Sequence, residues 1–407
     1  MMRPTRYLGL LLLSLLLASA CGADDDGIAF EGTLGERVPL TLTNWVPRIE
    51  VELGGNKGLG LVDTGAPLSI AYGGLFPQLA LDTRSRVEGR AFGVRFPEMP
   101  LAVIGGGDGT SECSEPQHGV ILGQDLLGHF HLNIDYREKR ASLDSDGPAG
   151  EGDIVAAARL GGGAVPLEGD LVPVGATRIV VEVTVEGRKL NALIDTGASL
   201  SVISKRVIDD LALADRPQLC CSSISLFGGI VDARTVRLRE LTIGKHTVKN
   251  VAALMLPNED LLEQLSLETG RAIDMILGAT PLRRFAVDID MRAPALRLSP
   301  YPDTSHVSPD EYVLPGFSIC KSTEADGAVR VVDVYEGTDA KRLGIFAGTL
   351  VVEVNGQSVK DLDAEQVLAL IRKTAVGQTV KLTFRSRTNG TRSERDIVVE
   401  RVLPDFE

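Results

Sequence analysis

One short motif occurs twice in the chain and constrains the fold more than any other feature. Its first copy, residues 61–69, reads Leu-Val-Asp-Thr-Gly-Ala-Pro-Leu-Ser, and its second, residues 193–201, reads Leu-Ile-Asp-Thr-Gly-Ala-Ser-Leu-Ser. Each copy follows an alternating strand and a glycine turn. Each is followed downstream by a matching apolar run and glycine, Ile121-Leu122-Gly123 and Ile276-Leu277-Gly278. The period of roughly 130 residues is far above that of a solenoid and predicts two homologous lobes.

Composition supports a β-rich chain of more than one domain. The 407 residues exceed the usual size of one domain, and 4% aromatic residues with 44 glycines fit strands joined by tight turns. We therefore predict a mainly all-β fold. The formal net charge is −13, and no basic stripe interrupts it, so a nucleic-acid partner is not expected.

The repeat and the changes in composition predict the domain boundaries. The second lobe is longer than the first, and much of its excess lies in a helical stretch at Asn258 to Gly270. The predicted segments are a signal peptide at 1–21, a tether at 22–33, lobe one at 34–143, a linker at 144–164, lobe two at 165–299, a second linker at 300–311, and a C-terminal domain at 312–402.

The N-terminus has the pattern of an export signal. Arg3 and Arg6 precede the apolar run Leu8 to Leu17, which is too short to span a bilayer. The run ends in Leu17-Ala18-Ser19-Ala20-Cys21, which resembles a bacterial lipoprotein signal in which Cys21 is lipidated. That resemblance implies a periplasm-facing lipoprotein of the cell envelope, and Gly22 after the cysteine favours the outer membrane. The alternative is an ordinary secretory signal with a chance cysteine.

Cysteines and histidines indicate disulfides rather than a metal. An exported chain can form disulfides, and four cysteines follow Cys21: Cys113, Cys220, Cys221 and Cys320. A bridge from Cys113 to Cys220 or Cys221 is one pairing that the sequence leaves open. The five histidines form no metal-ligand cluster, so we expect neither a metal nor another cofactor.

The duplicated aspartates, Asp63 and Asp195, can form one catalytic pair. Two such loops that meet across a pseudo-two-fold axis bring two carboxyl groups together, and these then share one proton. Such a pair can activate water for attack on an amide carbonyl. The alternative for each aspartate alone is a solvated turn residue. The residues that we expect to support the loops are Thr64, Gly65, Ala66, Ser69, Thr196, Gly197, Ala198 and Ser201.

Both repeats resemble retropepsin-like aspartic protease units, on the basis of Asp-Thr-Gly-Ala and the later Ile-Leu-Gly. The resemblance implies two acid-protease β-barrel lobes in one chain, as in pepsin-like enzymes, and cleavage of a peptide or protein substrate without a cofactor. It also implies a flap: residues 225–231 fit well in lobe two, and 90–94 are a weaker candidate in lobe one. The predicted flap residues in contact with substrate are Phe227, Gly228 and Gly229. The alternative is a pseudoprotease without turnover.

The last hundred residues resemble a PDZ domain of bacterial periplasmic proteases. The resemblance rests on Gly337-x-x-Ala340, Leu343-Gly344-Ile345, Gly348 and Asn355-Gly356. It implies binding of a peptide C-terminus beside an edge strand. The implied ligand residues are Gly316, Phe317, Ser318, Ile319, Val367 and Leu370. Two alternatives remain open: a purely structural β-domain, and a non-catalytic, peptide-binding envelope lipoprotein.

Overall fold

The structure is a computed structural model of the chain. It describes residues 28–74, 76–80, 83–104, 119–145, 152–161, 177–226, 229–258, 260–303, 307, 311–322 and 327–406. The predicted signal peptide with Cys21, and the predicted flap residues Phe227 and Gly228, lie outside these described residues. No helix in the described part of the chain is long and apolar enough to cross a membrane.

The first Asp-Thr-Gly-Ala copy lies in a seven-stranded sheet of order β2-β3-β4-β8-β5-β7-β6. Gly54 and Gly55 both have positive φ, which lets them turn the chain tightly between β3 and β4. The elements of this first repeat are β1 Val38–Pro39, β2 Thr41–Thr43, β3 Val46–Leu53, β4 Asn56–Val62, β5 Ile70–Tyr72, β6 Thr83–Ala91, β7 Val94–Ile104, β8 Val120–Leu122, α1 Gln124–Leu127, β9 His131–Asp135 and β10 Arg140–Asp144.

The second copy lies in a second sheet with the same local pairings. The elements of this second repeat, preceded by β11 Asp153–Gly161, are β12 Thr177–Val185, β13 Arg188–Ile194, β14 Ser201–Ile203, α2 Lys205–Asp210, a 3₁₀ turn Leu213–Asp215, β15 Gln218–Leu226, β16 Gly229–Ile243, β17 His246–Met255, α3 Asp260–Thr269, β18 Met275–Leu277, α4 Ala279–Leu282, β19 Phe285–Asp290 and β20 Ala295–Pro300.

The parallel pairings are what the two repeats share. Strand β4 runs parallel to β8, and β13 runs parallel to β18. In each repeat the strand after the motif, β5 or β14, pairs antiparallel with the same partner and parallel with another strand. Both motifs therefore leave the ends of equivalent buried strands, so the two aspartates occupy equivalent places.

The two repeats are joined by backbone pairing as well as by side chains. Strand β9 of the first repeat pairs antiparallel with β19 of the second, with Ile134 opposite Val287. This junction makes β1, β10 and β9 part of a thirteen-stranded sheet that continues into the second repeat. A single apolar core, which includes Leu132, Ile134 and Ile289, runs through both repeats.

The segment at 144–164 differs from the predicted linker. It contains β11, which pairs with β20 on one side and with β12 on the other. The segment is rich in glycine, alanine and aspartate, a composition typical of linkers. Its strand state is imposed by neighbours that bond to its backbone on both sides, a tertiary effect that local composition does not report.

The C-terminal module, residues 312–402, has its own sheet and its own core. Its main sheet has the order β22-β23-β24-β26-β27, and Val329, Val367 and Val380 are among its fully buried side chains. The module contains β21 Val313–Leu314, β22 Phe317–Lys321, β23 Val329–Val334, α5 Asp339–Arg342, β24 Leu350–Val354, β25 Gln357–Ser358, α6 Ala364–Ile371, β26 Thr379–Arg385, β27 Arg392–Val398 and β28 Glu400–Arg401. With this module included, the prediction of a mainly β chain is confirmed.

Candidate active site

Each aspartate is held by its own loop at the end of a buried strand. The amides of Gly65 and Ala66 donate to Asp63 Oδ1 at 2.8 and 2.9 Å. In the second loop the amides of Gly197 and Ala198 donate to Asp195 Oδ1 at 2.8 and 3.0 Å. One oxygen of each carboxyl is thus fixed by two backbone amides of its own loop.

Thr64 and Thr196 join the two loops by reciprocal hydrogen bonds. The Thr64 hydroxyl donates to Ile194 O at 3.0 Å and accepts from the Thr196 amide at 3.1 Å. The Thr196 hydroxyl donates to Val62 O at 2.6 Å and accepts from the Thr64 amide at 3.1 Å. Both threonines are fully buried. This double clamp fixes the separation of the loops, and hence of the carboxyls.

Gly65 and Gly197 allow the loops to approach until the carboxyls meet. A Cβ built on Gly65 would overlap the carboxyl of Asp195, and a Cβ on Gly197 would overlap that of Asp63. Each glycine therefore lies flat against the opposite aspartate, where no side chain fits. The structure therefore places the carboxyls of Asp63 and Asp195 close together, each against the glycine of the opposite loop.

Burial and mutual repulsion keep a proton on this pair. Burial raises the pKa of Asp63, and the Ala66 amide, the bond to Asp195 and the Gly65 amide oppose the rise. Burial, the negative charge of Asp63 and the bond to it raise the pKa of Asp195 well above its usual range. Two carboxyls in contact share their titration, so the pair carries one proton over a wide pH range.

A serine hydroxyl connects each aspartate loop to the segment that contains Ile-Leu-Gly. Ser69 donates from its hydroxyl to Asp125 Oδ1 at 2.6 Å, and it accepts from the Gly123 amide at 3.0 Å. Ser201 makes the equivalent contacts: 3.2 Å to the Thr280 hydroxyl and 3.2 Å from the Gly278 amide.

Sequence reasoning missed the partners of these two serines. Asp125 and Thr280 each lie two residues after the glycine of Ile-Leu-Gly. Gln124 was missed as well, and its side chain donates to Thr64 O at 2.7 Å. The shared offset of Asp125 and Thr280 from the duplicated glycine was the signal that could have identified these two partners.

Arg178 was also missed, and it is the buried cation of this site. It lies at the start of β12, is 5% exposed, and forms an ion pair with Glu268 at 3.0 Å. Its charge lowers the pKa of Asp63. Alternating strands carry arginines on their outer faces routinely, so no local pattern indicates that this one is buried.

The β15–β16 hairpin lies where the sequence predicts the flap of lobe two. Gly229 opens β16 opposite Leu226, and two residues outside the described part of the chain lie between them. In lobe one the candidate turn at Phe92 and Gly93 joins β6 to β7, with Phe92 buried and Gly93 exposed. Glu31 of the N-terminal segment forms a β-bridge with Arg95 beside this turn, and the weaker flap candidate stays a prediction.

The proposed peptide groove of the C-terminal module lies between β22 and α6. Among the strands that the structure describes, β22 pairs with β23 alone in the main sheet, and its other edge is the side where an added peptide strand could pair. Gly316 precedes β22 with φ of +85°, and its carbonyl accepts from the Tyr335 amide at 2.9 Å.

The side chains predicted to line this groove have different environments. Phe317 and Val367 are fully buried in the core of the module, so they support the groove from beneath rather than line it. Ile319 is 8% exposed, and Leu370 is half-buried. The Ser318 hydroxyl is bonded to Asp333 of β23 at 3.2 Å, so the backbone of β22 is the part best placed to pair with a peptide.

Cys220 on β15 and Cys320 on β22 are both disulfide-bonded. The expectation of disulfides is thus met at these two positions, while Cys113 of the predicted bridge lies outside the described residues. Within the described residues, no group of three or more His, Cys, Asp or Glu side chains could hold a metal ion.

Comparisons with known proteins identify two domains. Residues 181–280 match a family model described as aspartyl protease, and residues 330–386 match one described as PDZ domain. No curated protein matches the chain. Among solved structures, the crystal structure of a retropepsin-like aspartic protease from Rickettsia conorii is similar, at 20% identity, over 37% of this chain and 95% of that one, with a TM-score of 0.24. The two family models thus match one segment of the chain as aspartyl protease and one as PDZ domain.

Proposed function

We propose that this protein is an aspartic endopeptidase that hydrolyses peptide bonds with water activated between Asp63 and Asp195. The observation that carries the proposal is the close approach of two half-buried carboxyls, each held at one oxygen by two backbone amides. A pair of this kind has one proton to give and one site to accept a proton, which is what amide hydrolysis by water requires.

The reaction uses the pair as acid and base in turn. The ionised carboxyl takes a proton from water as the water oxygen bonds to the amide carbon, and the protonated carboxyl gives its proton to the carbonyl oxygen. In the second step a carboxyl protonates the amide nitrogen while the other takes a proton from the diol, and the C–N bond breaks. The pair ends with one proton, as it began, so the cycle needs no cofactor.

Substitution of either aspartate tests this proposal. Asp63→Asn and Asp195→Asn should each lower the cleavage rate of an unfolded protein substrate by at least about 100-fold, because general acid–base catalysis contributes on that order. Asp361→Asn, in an exposed turn of the C-terminal module, is the matched control and should cleave at the wild-type rate. Wild-type protein that cleaves nothing between about pH 3 and pH 8 would contradict the proposal.

The C-terminal module supports a second activity, which is capture of a peptide terminus. The open edge of β22 favours it, since an extended peptide can add to that edge as a further strand. In the endopeptidase this module would position substrate near the cleft. If the aspartate pair proves inactive, peptide capture would instead be the function of a non-catalytic envelope protein, the alternative that the cleavage assay decides.

We also propose that the protein is a periplasm-facing lipoprotein, anchored by Cys21 and sited at the outer membrane. The support is the sequence Leu17-Ala18-Ser19-Ala20-Cys21 after a short apolar run. Metabolic labelling with a radioactive fatty acid should mark the wild type and leave Cys21→Ser unmarked. Equal labelling of both, or of neither, would overturn the assignment of the anchor.

A further inference from the structure

The two aspartates of the pair face different neighbours. Strands β12 and β13 pair with Val180 opposite Leu193, so the same register continued by two residues brings Arg178 opposite Asp195. Strands β3 and β4 pair with Arg48 opposite Leu61, and the same continuation brings Val46 opposite Asp63. Arg178 and Val46 are both buried, at 5% and 6% exposure. One loop therefore has a buried cation at the place where the other has a valine.

Helix α3, in the stretch by which the second repeat is longer, carries the ion-pair partner of Arg178. Arg178 Nη2 lies 3.0 Å from Glu268 Oε2, and the two side chains are 6% and 10% exposed. Glu268 is on α3, within the stretch that makes the second repeat longer than the first. The Gln264 side chain donates to the other carboxylate oxygen at 3.1 Å. The added helix thus supplies the anion that fixes Arg178 in place.

The other titratable groups around the pair are neutral or engaged elsewhere. Tyr72 and Tyr136 contribute no charge near neutral pH, because burial raises the pKa of both phenols. Arg283 is paired with Glu311 at 2.8 Å and stacks on Trp45 at 4.8 Å. Asp125 is bonded to Ser69 at 2.6 Å. Arg178 is therefore the cation whose strand position lies opposite the motif. Its positive charge lowers the pKa of Asp63, which opposes the effect of burial.

On the premise that the proposed function is right, we propose that Arg178, held by Glu268, is a positioning residue that stabilises the ionised member of the pair. It acts through the two carboxyls rather than on substrate. The singly protonated pair, which is the active form, is then populated at lower pH than it would be beside two apolar neighbours. The negative charge of Glu268 has the opposite effect and moderates that of Arg178.

The pH dependence of kcat/KM tests this role. Both limbs of the bell-shaped profile should move up by about one pH unit in Arg178→Met, since an opposite charge nearby shifts a carboxyl by that order. Arg178→Lys keeps the charge and should stay near the wild type. Glu268→Gln should move both limbs down. A lower rate in Arg178→Met with both limbs unmoved would reduce Arg178 to a structural role and overturn the inference.

A second readout separates this inference from the proposed function. Carbon-13 NMR of the aspartate carboxyls gives the apparent pKa values of the pair without any turnover. If the wild type does not cleave, the endopeptidase proposal fails, yet the carboxyl titration should still move up in Arg178→Met and down in Glu268→Gln. Should Arg178→Met not fold, Glu268→Gln and Arg178→Lys decide the matter, and unchanged carboxyl titration in Glu268→Gln overturns the inference.

Discussion

Asp195 is the residue in which function and stability oppose each other most directly. Its carboxyl is half-buried, and the negative charge of Asp63 lies close to it, so both loss of solvent and charge repulsion raise its pKa. A group whose pKa is higher in the folded than in the unfolded state stabilises the fold below its unfolded value. That stabilisation is lost as the pH rises through the folded pKa. Near neutral pH the ionisation of the pair therefore lowers the free energy of unfolding.

This sign predicts how Asp195→Asn changes stability with pH. The amide cannot ionise but can keep the bonds from Gly197 and Ala198, so the variant should be more stable than the wild type at pH 7, by about 1 kcal/mol or more, since one pKa unit corresponds to about 1.4 kcal/mol. At pH 3 the two proteins should unfold at nearly the same urea concentration. The exposed control Asp361→Asn should show no such pH-dependent gain. A variant whose advantage is larger at pH 3 than at pH 7 would contradict the electrostatic account.

Single residues differed in how far the sequence could predict them. The pairing of Asp63 with Asp195 follows from duplication, because equivalent strands carry equivalent loops. Arg178 could not be found in the same way, since its partner Glu268 lies 90 residues further along the chain, on helix α3. Contacts between segments distant in sequence depend on packing, which no local pattern encodes.

Helices whose apolar residues recur at helical spacing were predicted well. A strand that depends on pairing with neighbouring strands was not. Helix α3 lies within the predicted stretch 258–270, where Leu262 and Leu265 bury one face. Helix α6 begins at a capping box of Asp363 and Gln366, shorter than the predicted 362–373 because the box sets its first turn. Strand β11 was missed because its partners, not its composition, make it a strand.

The loop before β22 provides a prediction for peptide capture. Gly316 has φ of +85°, and a Cβ there would lie 2.6 Å from the Thr338 hydroxyl. Gly316→Ala should therefore displace the loop that begins the groove and weaken binding of a peptide with a free C-terminus by about tenfold or more, which corresponds to about 1.4 kcal/mol. Isothermal titration calorimetry with the full chain measures this change.

Gly356→Ala is the matched control for that experiment. Gly356 also has positive φ, at +78°, but a Cβ there meets no atom within 4 Å. Both variants carry the same kind of backbone strain, so only the contact with Thr338 differs. Equal affinity in the two variants would show that this loop does not contribute to peptide binding.

At the scale of the whole molecule, the C-terminal module packs on the second repeat. Leu403 is fully buried in an apolar cluster with Leu219 of β15 and Tyr312. Arg237 of β16 donates to Leu403 O at 3.3 Å and pairs with Asp405 at 2.9 Å. Asn250 exchanges two hydrogen bonds with the backbone of Phe406, at 2.8 and 3.2 Å. The segment after β28 therefore fastens the module to the strand pair that carries the predicted flap.

A protease-like segment followed by a PDZ-like segment was predictable from the repeat and from the C-terminal motifs, but this docking was not. Apolar residues such as Leu219 and Leu403 have the ordinary pattern of core residues, and the sequence does not say which core they enter. Arg237 could equally have been an outward arginine on a strand. Its burial at 6% exposure, with the Tyr312 ring 4.8 Å away, is a property of the assembled domains.

Truncation of Leu403 tests whether this docking couples the unfolding of the two parts. The C-terminal module has its own core, so loss of the shared cluster should let it unfold independently. Leu403→Ala should cost about 2–5 kcal/mol, as buried leucine truncations do, and should split one calorimetric transition into two. Leu343→Ala, at a leucine that is 40% exposed in the same module, should keep a single transition near the wild-type temperature. A single transition at a lower temperature in Leu403→Ala would contradict this prediction. The module and the second repeat would then unfold as one unit without the cluster, because the remaining contacts, including the Arg237–Asp405 ion pair, suffice to couple them.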